Sequence, residues 1–183
     1  MGVRDELVQA GVELLEKQGL AALTQRRIAN QVGVSHGAPR HYFPTYASLL
    51  AAIARVGVDD LDAIIATNLA IDDVRTALTS TCIGVVEFAV QRPAMFELIG
   101  RHDLLDGAGE NLRATTGRWL ERVTARIGEA RPGADQRHGL ALWAGVQGLG
   151  TVLGRGSGDA ITDTGVDPRQ VARVLVDGII GVG

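Results

Sequence analysis

The stretch Thr24–Tyr46, TQRRIANQVGVSHGAPRHYFPTY, decides the fold at the N-terminal end of this 183-residue chain. Thr24 is a suitable N-cap for a short helix, because its hydroxyl accepts a hydrogen bond from a free backbone N–H in the first turn. Gly33 breaks that helix, and Ser35 is the next N-cap, opening a second short helix that extends to about Tyr42. Two short helices joined by a tight glycine turn predict a helix-turn-helix, with the second helix as the recognition helix.

The same stretch is cationic. Between residues 24 and 46 the sequence has the arginines Arg26, Arg27 and Arg40, the histidines His36 and His41, and no acidic residue, although the whole chain has a net charge of −3. An acid-free cationic stretch in an acidic protein is typical of a surface that faces phosphates. An ordinary solvated basic surface is the alternative interpretation, and charge alone does not decide between the two.

Outside this stretch the hydrophobic periodicity is helical, and no alternating segment flanked by hairpin turns is found. The helical patterns and their breakers predict an all-α protein of about nine helices. We expect an N-terminal three-helix domain with the helix-turn-helix at residues 1–45, followed by a helical ligand-binding and dimerisation domain at residues 46–183. Thr45 caps the long helix that opens this second domain and runs to about Leu69.

Composition excludes several classes of protein. Cys82 is the only cysteine, so one chain forms neither an internal disulfide nor a cysteine-based zinc cluster, and no metal or cofactor is expected. The sequence lacks the zinc-protease, serine-hydrolase, P-loop and dinucleotide motifs, which predicts a protein that is not an enzyme. The acidic N-terminus has no apolar run, and the uncharged stretch Gly139–Gly154 has 16 residues where a membrane span needs about 20. We therefore expect a cytoplasmic protein.

Several short motifs follow one another near the N-terminus: Leu23-Thr24, Ile28-Ala29, Val32-Gly33-Val34-Ser35, Gly37-Ala38-Pro39, Phe43 and Leu49-Leu50. In this order they resemble the DNA-binding domain of the TetR family of bacterial transcriptional repressors, across residues 20–53. The segment LWAGVQGL at residues 142–149 is similar to the Trp-plus-His-Gly signature of TetR-like ligand domains, with Gln147 in place of the histidine. Two positions depart from the family pattern. Arg40 stands where a tyrosine is usual, and Tyr46 stands where a lysine is usual.

The resemblance implies a role for each matching position of the helix-turn-helix. It places Thr24, Arg26, Arg40, His41 and Tyr42 on DNA phosphates, and Tyr46 there through one neutral hydrogen bond. It places Gln25 and Arg27 within reach of base edges or the backbone, and Ser35, His36, Gly37 and Ala38 over the base edges. The implied function is a dimeric regulator, most often a repressor, that leaves a palindromic operator when a small molecule binds. The alternative is a helical small-molecule-binding or adaptor protein that has lost specific DNA binding.

The C-terminal part is expected to dimerise and to bind the effector. A stripe of small side chains recurs at helical spacing and allows close helix packing; it consists of Ala141, Gly145, Gly148 and Val152. The last helix carries a similar face of Val171, Val174, Leu175, Gly178 and Ile179. The family resemblance favours a dimer interface for both faces, and packing inside the monomer is the alternative.

Aromatic residues are scarce in the C-terminal part, and a buried tryptophan needs a partner for its N–H or a wet edge. We therefore predict a ligand cavity lined by Phe88, Met95, Phe96, Trp119, Trp143 and Gln147, with Arg101 and His102 as polar candidates. Plain core packing is the alternative. The expected effector is small and has substantial apolar character.

Overall fold

The computed structural model describes residues 2–105, 107–154 and 167–181. In this part of the chain all regular structure is helical, which confirms the predicted fold class. The helices are α1 (Val3–Gln18), a 3₁₀ turn (Leu20–Ala22), α2 (Gln25–Val32), α3 (Pro39–Tyr42), α4 (Tyr46–Leu69), α5 (Val74–Gln91), α6 (Pro93–Gly100), α7 (His102–Leu105), α8 (Leu112–Ala130), α9 (Gln136–Gly154) and α10 (Pro168–Ile180). Compared with the predicted nine, the described part has one more α-helix, the short α7, because the chain leaves helical geometry at Arg101 between α6 and α7. None of the described helices has the length and hydropathy needed to cross a bilayer.

The chain divides into two compact units. The first comprises Met1–Asp59 and Ala94–Leu112. Its core is built from fully buried aliphatic side chains such as Leu7, Ile28 and Ile53. A Cβ atom on Gly11 would lie 2.3 Å from Ile53 Cδ1, so this glycine is what allows α1 and α4 to approach each other closely.

The second unit comprises Asp60–Pro93 and Arg113–Gly183. In its described part α5 packs against α9 and α10. The guanidinium of Arg126, on α8, donates to the backbone carbonyls of Ile71 (2.5 Å) and Asp72 (3.0 Å) and so holds the α4–α5 connection. The predicted division of the chain into domains at residues 1–45 and 46–183 stays a prediction.

Local capping chemistry sets the helix starts. The Asp73 carboxylate accepts the Thr76 N–H at 2.8 Å and caps α5. Thr45 Oγ1 accepts the Ser48 N–H at 3.0 Å, while the Thr45 N–H donates back to Ser48 Oγ at 3.1 Å, so α4 starts with a reciprocal pair. The start of α4 at Thr45 agrees with the sequence prediction.

Candidate nucleic-acid interface and ligand cavity

The helix-turn-helix forms where the sequence predicts it. Thr24 Oγ1 accepts the Arg27 N–H at 3.3 Å and caps α2. Gly33 has a φ of 76° in the left-handed region, which favours glycine and ends the helix. The Val34 N–H then returns to the Ala29 carbonyl at 3.1 Å, which closes the turn.

The recognition helix starts later than predicted. The α-helical residues are Pro39–Tyr42, whereas residues 36–38 form a turn, so the prediction that Ser35 opens the helix is wrong. The physical reason is Pro39, which has no N–H to donate to the Ser35 carbonyl in the first α-helical bond. The Ala38 N–H bonds to that carbonyl instead, at 2.9 Å, and this gives a tighter i→i−3 turn. Ser35, His36 and Gly37 are exposed in and before this turn, and Ala38 is half-buried.

The cations of the helix-turn-helix fall into two groups. Arg26, Arg40, His36 and His41 are exposed, and within the described residues the structure gives their side chains no hydrogen bond or ion pair. Arg27 differs, because its guanidinium donates to Gln18 Oε1 and to the Ala22 carbonyl. The side chains of the first group therefore have N–H groups that are free to bind an anion, whereas the Arg27 guanidinium already forms hydrogen bonds within the first compact unit.

Tyr46 braces the start of α4. Its hydroxyl donates to the Leu23 carbonyl, and partial burial raises the pKa of the phenol. Because a phenol has one proton to donate, a hydrogen bond from Tyr46 to a phosphate would require this contact to break. The phosphate contact of Tyr46 stays a prediction, as do those of Thr24 and Tyr42, both exposed, and the DNA contact of Gln25, which is half-buried.

The two tryptophans meet inside the second unit. Trp119 is 1% exposed, and its Nε1–H donates to the Asp62 carboxylate at 2.7 Å. The rings of Trp119 and Trp143 lie 5.7 Å apart between centroids with a 45° tilt. Trp143 is half-buried, so each tryptophan meets its polar requirement in a different way: Trp119 through Asp62, and Trp143 through its access to solvent.

The predicted ligand residues are divided between the two units. Phe88, Trp119, Trp143 and Gln147 belong to the second unit, and Met95, Phe96, Arg101 and His102 belong to the first. In the second unit the Phe88 ring lies 5.3 Å from the Arg92 guanidinium. In the first unit Met95 is fully buried, and a Cβ atom on Gly57 would lie 2.4 Å from its Cγ. The ligand role of these residues stays a prediction.

A small apolar cavity lies between α5, α8 and α9 of the second unit, with room for about one water molecule. Of the predicted ligand residues only Trp143 lines it. Sequence reasoning missed the other wall residues, which read as ordinary core positions and reveal a cavity only after the three helices pack. Cys82 is among them, and it is buried, as the sequence suggests for a small hydrophobic side chain. Four wall residues come from α5, namely Leu78, Thr81, Cys82 and Val85, and the others are Val123 of α8 and Leu142, Trp143 and Val146 of α9.

The predicted dimer residues include both free and packed positions. Ala141, Gly148, Val174 and Gly178 are exposed, and Val174 reaches 71% exposure. Gly145 instead contacts its own chain, because a Cβ atom there would lie 3.0 Å from Leu175 Cδ2. The remaining positions, Val152, Val171, Leu175 and Ile179, are half-buried.

An exposed, acid-free helix-turn-helix near the N-terminus of a helical chain is typical of helix-turn-helix regulators. Residues 7–53 match the family model described as bacterial regulatory proteins, tetR family. The N-terminal segment is therefore similar to the DNA-binding segment of this family, as the sequence resemblance predicts. The similarity of residues 142–149 to a ligand-domain signature stays a prediction.

The matches to individual proteins extend beyond the N-terminal segment. Over 140 residues the chain is 29% identical to the nucleoid occlusion factor SlmA of Marinobacter nauticus, spanning 75% of this chain and 70% of that protein. A solved structure of a protein with unknown function from Rhodococcus sp. RHA1 has a TM-score of 0.81 at 24% identity, with 99% of this chain and 95% of that chain covered. BioQ, solved with its natural double-stranded DNA operator, has a TM-score of 0.68 at 20% identity, with 97% and 98% covered. At these identities the two solved structures show a shared fold.

Proposed function

We propose that the protein is a cytoplasmic transcriptional repressor that binds a palindromic operator as a homodimer and releases it when a small, partly apolar molecule binds its C-terminal helical region. The observation that carries this proposal is the pair of exposed arginines, Arg26 and Arg40, which have no partner in the described residues of an acid-free helix-turn-helix. A guanidinium without a carboxylate partner keeps its donors for an anion, and DNA phosphate is the anion that this motif meets.

In this proposal the phosphate contacts and the base contacts come from different residues of the helix-turn-helix. In the proposed complex Arg26, Arg40 and His41 contact phosphates, and these contacts set the register on the duplex without selecting bases. His36 and Gly37 lie in the turn before α3 and face the base edges. Ala38 contacts a thymine methyl group. Tyr46 acts mainly as an internal brace through Leu23 in this proposal.

Dimerisation is supported by the exposed small and apolar positions of α9 and α10. Among the described residues, a Cβ atom on Gly148 or on Gly178 would meet no atom within 4 Å beyond its own stretch of helix, so both helices have open space beside them. Val174 leaves an apolar side chain in solvent beside this space. A second copy of the chain would bury these positions and give an isologous interface, which places two recognition helices on the two halves of a palindrome.

Ligand release follows from linkage. If the effector binds better to the conformation that has low operator affinity, it must weaken operator binding, and operator must weaken effector binding by the same factor. The helix α4 provides a covalent connection, since it runs without a break from Tyr46 in the first unit to Leu69 in the second.

The test is a fluorescence-anisotropy titration of the purified protein against the duplex upstream of its own gene, with a scrambled duplex of equal length and composition as competitor. We expect binding that resists the competitor, weakens steeply as salt rises, and saturates at an even number of chains per site. Equal affinity for both duplexes at every salt concentration would contradict the proposal. Absence of binding to either duplex would favour the alternative of a small-molecule-binding or adaptor protein.

The similarity to a nucleoid occlusion factor supports a second candidate function. That match covers 140 residues, far more than the helix-turn-helix segment alone. A repressor of a few genes occupies a few operators, whereas a factor that acts on the nucleoid occupies many dispersed sites. Mapping the bound sites across the genome separates the two, because the first function predicts clusters at promoters and the second predicts sites without regard to promoters.

A further inference from the structure

The cavity between α5, α8 and α9 has walls of one chemical character. Six of its eight wall residues are apolar or aromatic, and none of them is charged. The two remaining residues are Thr81 and Cys82, and both are buried. Any molecule that enters this space therefore exchanges water for hydrocarbon and indole surface.

The two polar side chains of the wall, Thr81 and Cys82, provide neither a free hydroxyl donor nor a charge for a ligand. The Thr81 hydroxyl already donates to the Ala77 carbonyl at 2.8 Å. Burial raises the pKa of the Cys82 thiol to about 12, so the thiol is neutral at physiological pH and provides no anionic partner. A carboxylate or ammonium group in this space would lose its hydration without gaining a counter-charge, a loss that excludes charged ligands.

Trp143 is the wall residue with the greatest exposure to solvent. It is half-buried, whereas the seven other wall residues are all buried. It is also the largest of these side chains, so its displacement frees more space than that of any other. Because the cavity has room for only about one water molecule, a larger molecule fits only if a wall side chain moves.

We propose that this cavity is the effector site and binds a small, uncharged, predominantly apolar molecule, with Trp143 as the side chain that closes it. This inference rests on the proposed ligand-responsive function and specifies its ligand class. It differs from the sequence prediction, which placed Arg101 and His102 at the site as polar contacts.

Three one-ring probes of similar size test the ligand class: toluene, benzoate and benzylamine. The two tryptophans of the chain are Trp143, which lines the cavity, and Trp119, whose ring centroid lies 5.7 Å from that of Trp143, so intrinsic fluorescence responds to changes at the wall. We expect toluene to change the fluorescence and raise the melting temperature, and the two charged probes to bind about a hundredfold more weakly or not at all. Equal binding of benzoate or benzylamine, or no response to toluene, would overturn the proposal; the second outcome would make the cavity a simple packing void.

A filling variant locates the binding. Val85→Phe places a larger side chain in the wall, and we expect it to weaken toluene binding about tenfold or more. Val90→Phe is the matched control, because Val90 lies on the same helix but is 49% exposed and does not line the cavity. Toluene binding that is the same in both variants would place the probe elsewhere.

The closing role of Trp143 has its own readout, which also keeps the proposal testable if Val85→Phe fails to fold. Cys82 is the only thiol of the chain, so the rate at which a small neutral thiosulfonate modifies it measures how often the cavity opens. We expect Trp143→Ala to raise this rate about tenfold or more, and Leu140→Ala, an exposed position on the same helix, to leave it unchanged. An unchanged rate in Trp143→Ala would overturn the closing role.

These measurements need no DNA, so they separate the inference from the proposed function. Toluene binding in the cavity without any change in operator affinity would support the site and contradict ligand-controlled release. Specific operator binding by a protein that ignores toluene would support the DNA-binding function and overturn the inference.

Discussion

Arg26 and Arg40 of the helix-turn-helix have different surroundings from several arginines of the second compact unit. Arg26 and Arg40 lie in a segment without acids and have no partner in the described residues. In the second unit Arg75 binds the Asp177 carboxylate through two nitrogens at 2.7 and 2.5 Å, and Arg92 lies 2.5 Å from Asp60. The number of cationic residues in a region therefore does not locate an anion-binding site, because many arginines are already paired with a carboxylate of the same chain.

The largest expected effect comes from replacing Arg26 or Arg40, the two arginines without a partner, by alanine. We expect Arg26→Ala and Arg40→Ala each to weaken operator binding about tenfold and to reduce the salt slope by about one, since each removes one phosphate contact. Melting temperatures should stay unchanged, because neither guanidinium has a partner in the described fold. Anisotropy titrations at several salt concentrations and thermal melts measure both quantities.

The control for this experiment is Arg173→Ala. Arg173 is exposed on α10 and also has no partner among the described residues, but it lies outside the helix-turn-helix. Its removal changes the net charge by the same amount as either test variant. If it weakened operator binding as strongly, the effect would come from overall charge, and the assignment of Arg26 and Arg40 to phosphate contacts would be wrong.

The next largest effect is on stability, and it concerns a partnered arginine. Arg126 has a side chain 19% exposed; it holds the carbonyls of Ile71 and Asp72, and its second terminal nitrogen lies 2.6 Å from Glu129. We expect Arg126→Ala to lower the free energy of unfolding by about 1–3 kcal/mol, because two carbonyls lose a charged donor. Operator affinity of the folded variant should not change.

Arg122→Ala is the matched control for that variant, since Arg122 lies one turn earlier on α8. Its side chain is 40% exposed, and its guanidinium is 3.9 Å from Asp62. An exposed pair at this distance contributes less than about 1 kcal/mol. Urea unfolding of the two variants compares them directly, and an equal loss in both would contradict the structural role given to Arg126.

The sequence predicted those features that depend on neighbours within a few residues. The caps at Thr24 and Thr45 and the helix break at Gly33 follow from local hydrogen bonding and backbone geometry. The late start of α3 is also local in origin, and the missing N–H of Pro39 was the available signal.

The features that escaped prediction join distant parts of the chain. Trp119 and its acceptor Asp62 are 57 residues apart, and Arg126 and the Ile71 carbonyl are 55 residues apart. The need of a buried indole N–H for an acceptor was predictable, but the identity of the acceptor was not, because it depends on how α4 and α8 pack. The cavity likewise exists only once three helices have met, and its wall residues carry an ordinary core pattern.

The smallest expected effect is the pH dependence of one exposed pair in the second unit. The Asp135 carboxylate accepts hydrogen bonds from the Arg137 guanidinium, the His138 ring and the Arg137 backbone N–H, and these contacts, the guanidinium first, hold the pKa of Asp135 well below its usual range. A carboxyl whose pKa is lower in the folded state stabilises the fold above its unfolded pKa, and this contribution disappears as the pH falls through the folded pKa. We therefore expect the melting temperature of the natural chain to fall below about pH 4, and Asp135→Asn to show a shallower fall.

Thermal melts from pH 7 to pH 3 measure this difference, with Asp72→Asn as the control, because the described residues give the Asp72 carboxylate no hydrogen bond. Parallel curves for the natural chain and Asp135→Asn would show that the pair contributes nothing. A shallower curve for Asp135→Asn but not for Asp72→Asn would extend the comparison of the two regions. Acid would then weaken a region in which several arginines are held by carboxylates, whereas residues 24–46 contain no carboxylate to protonate.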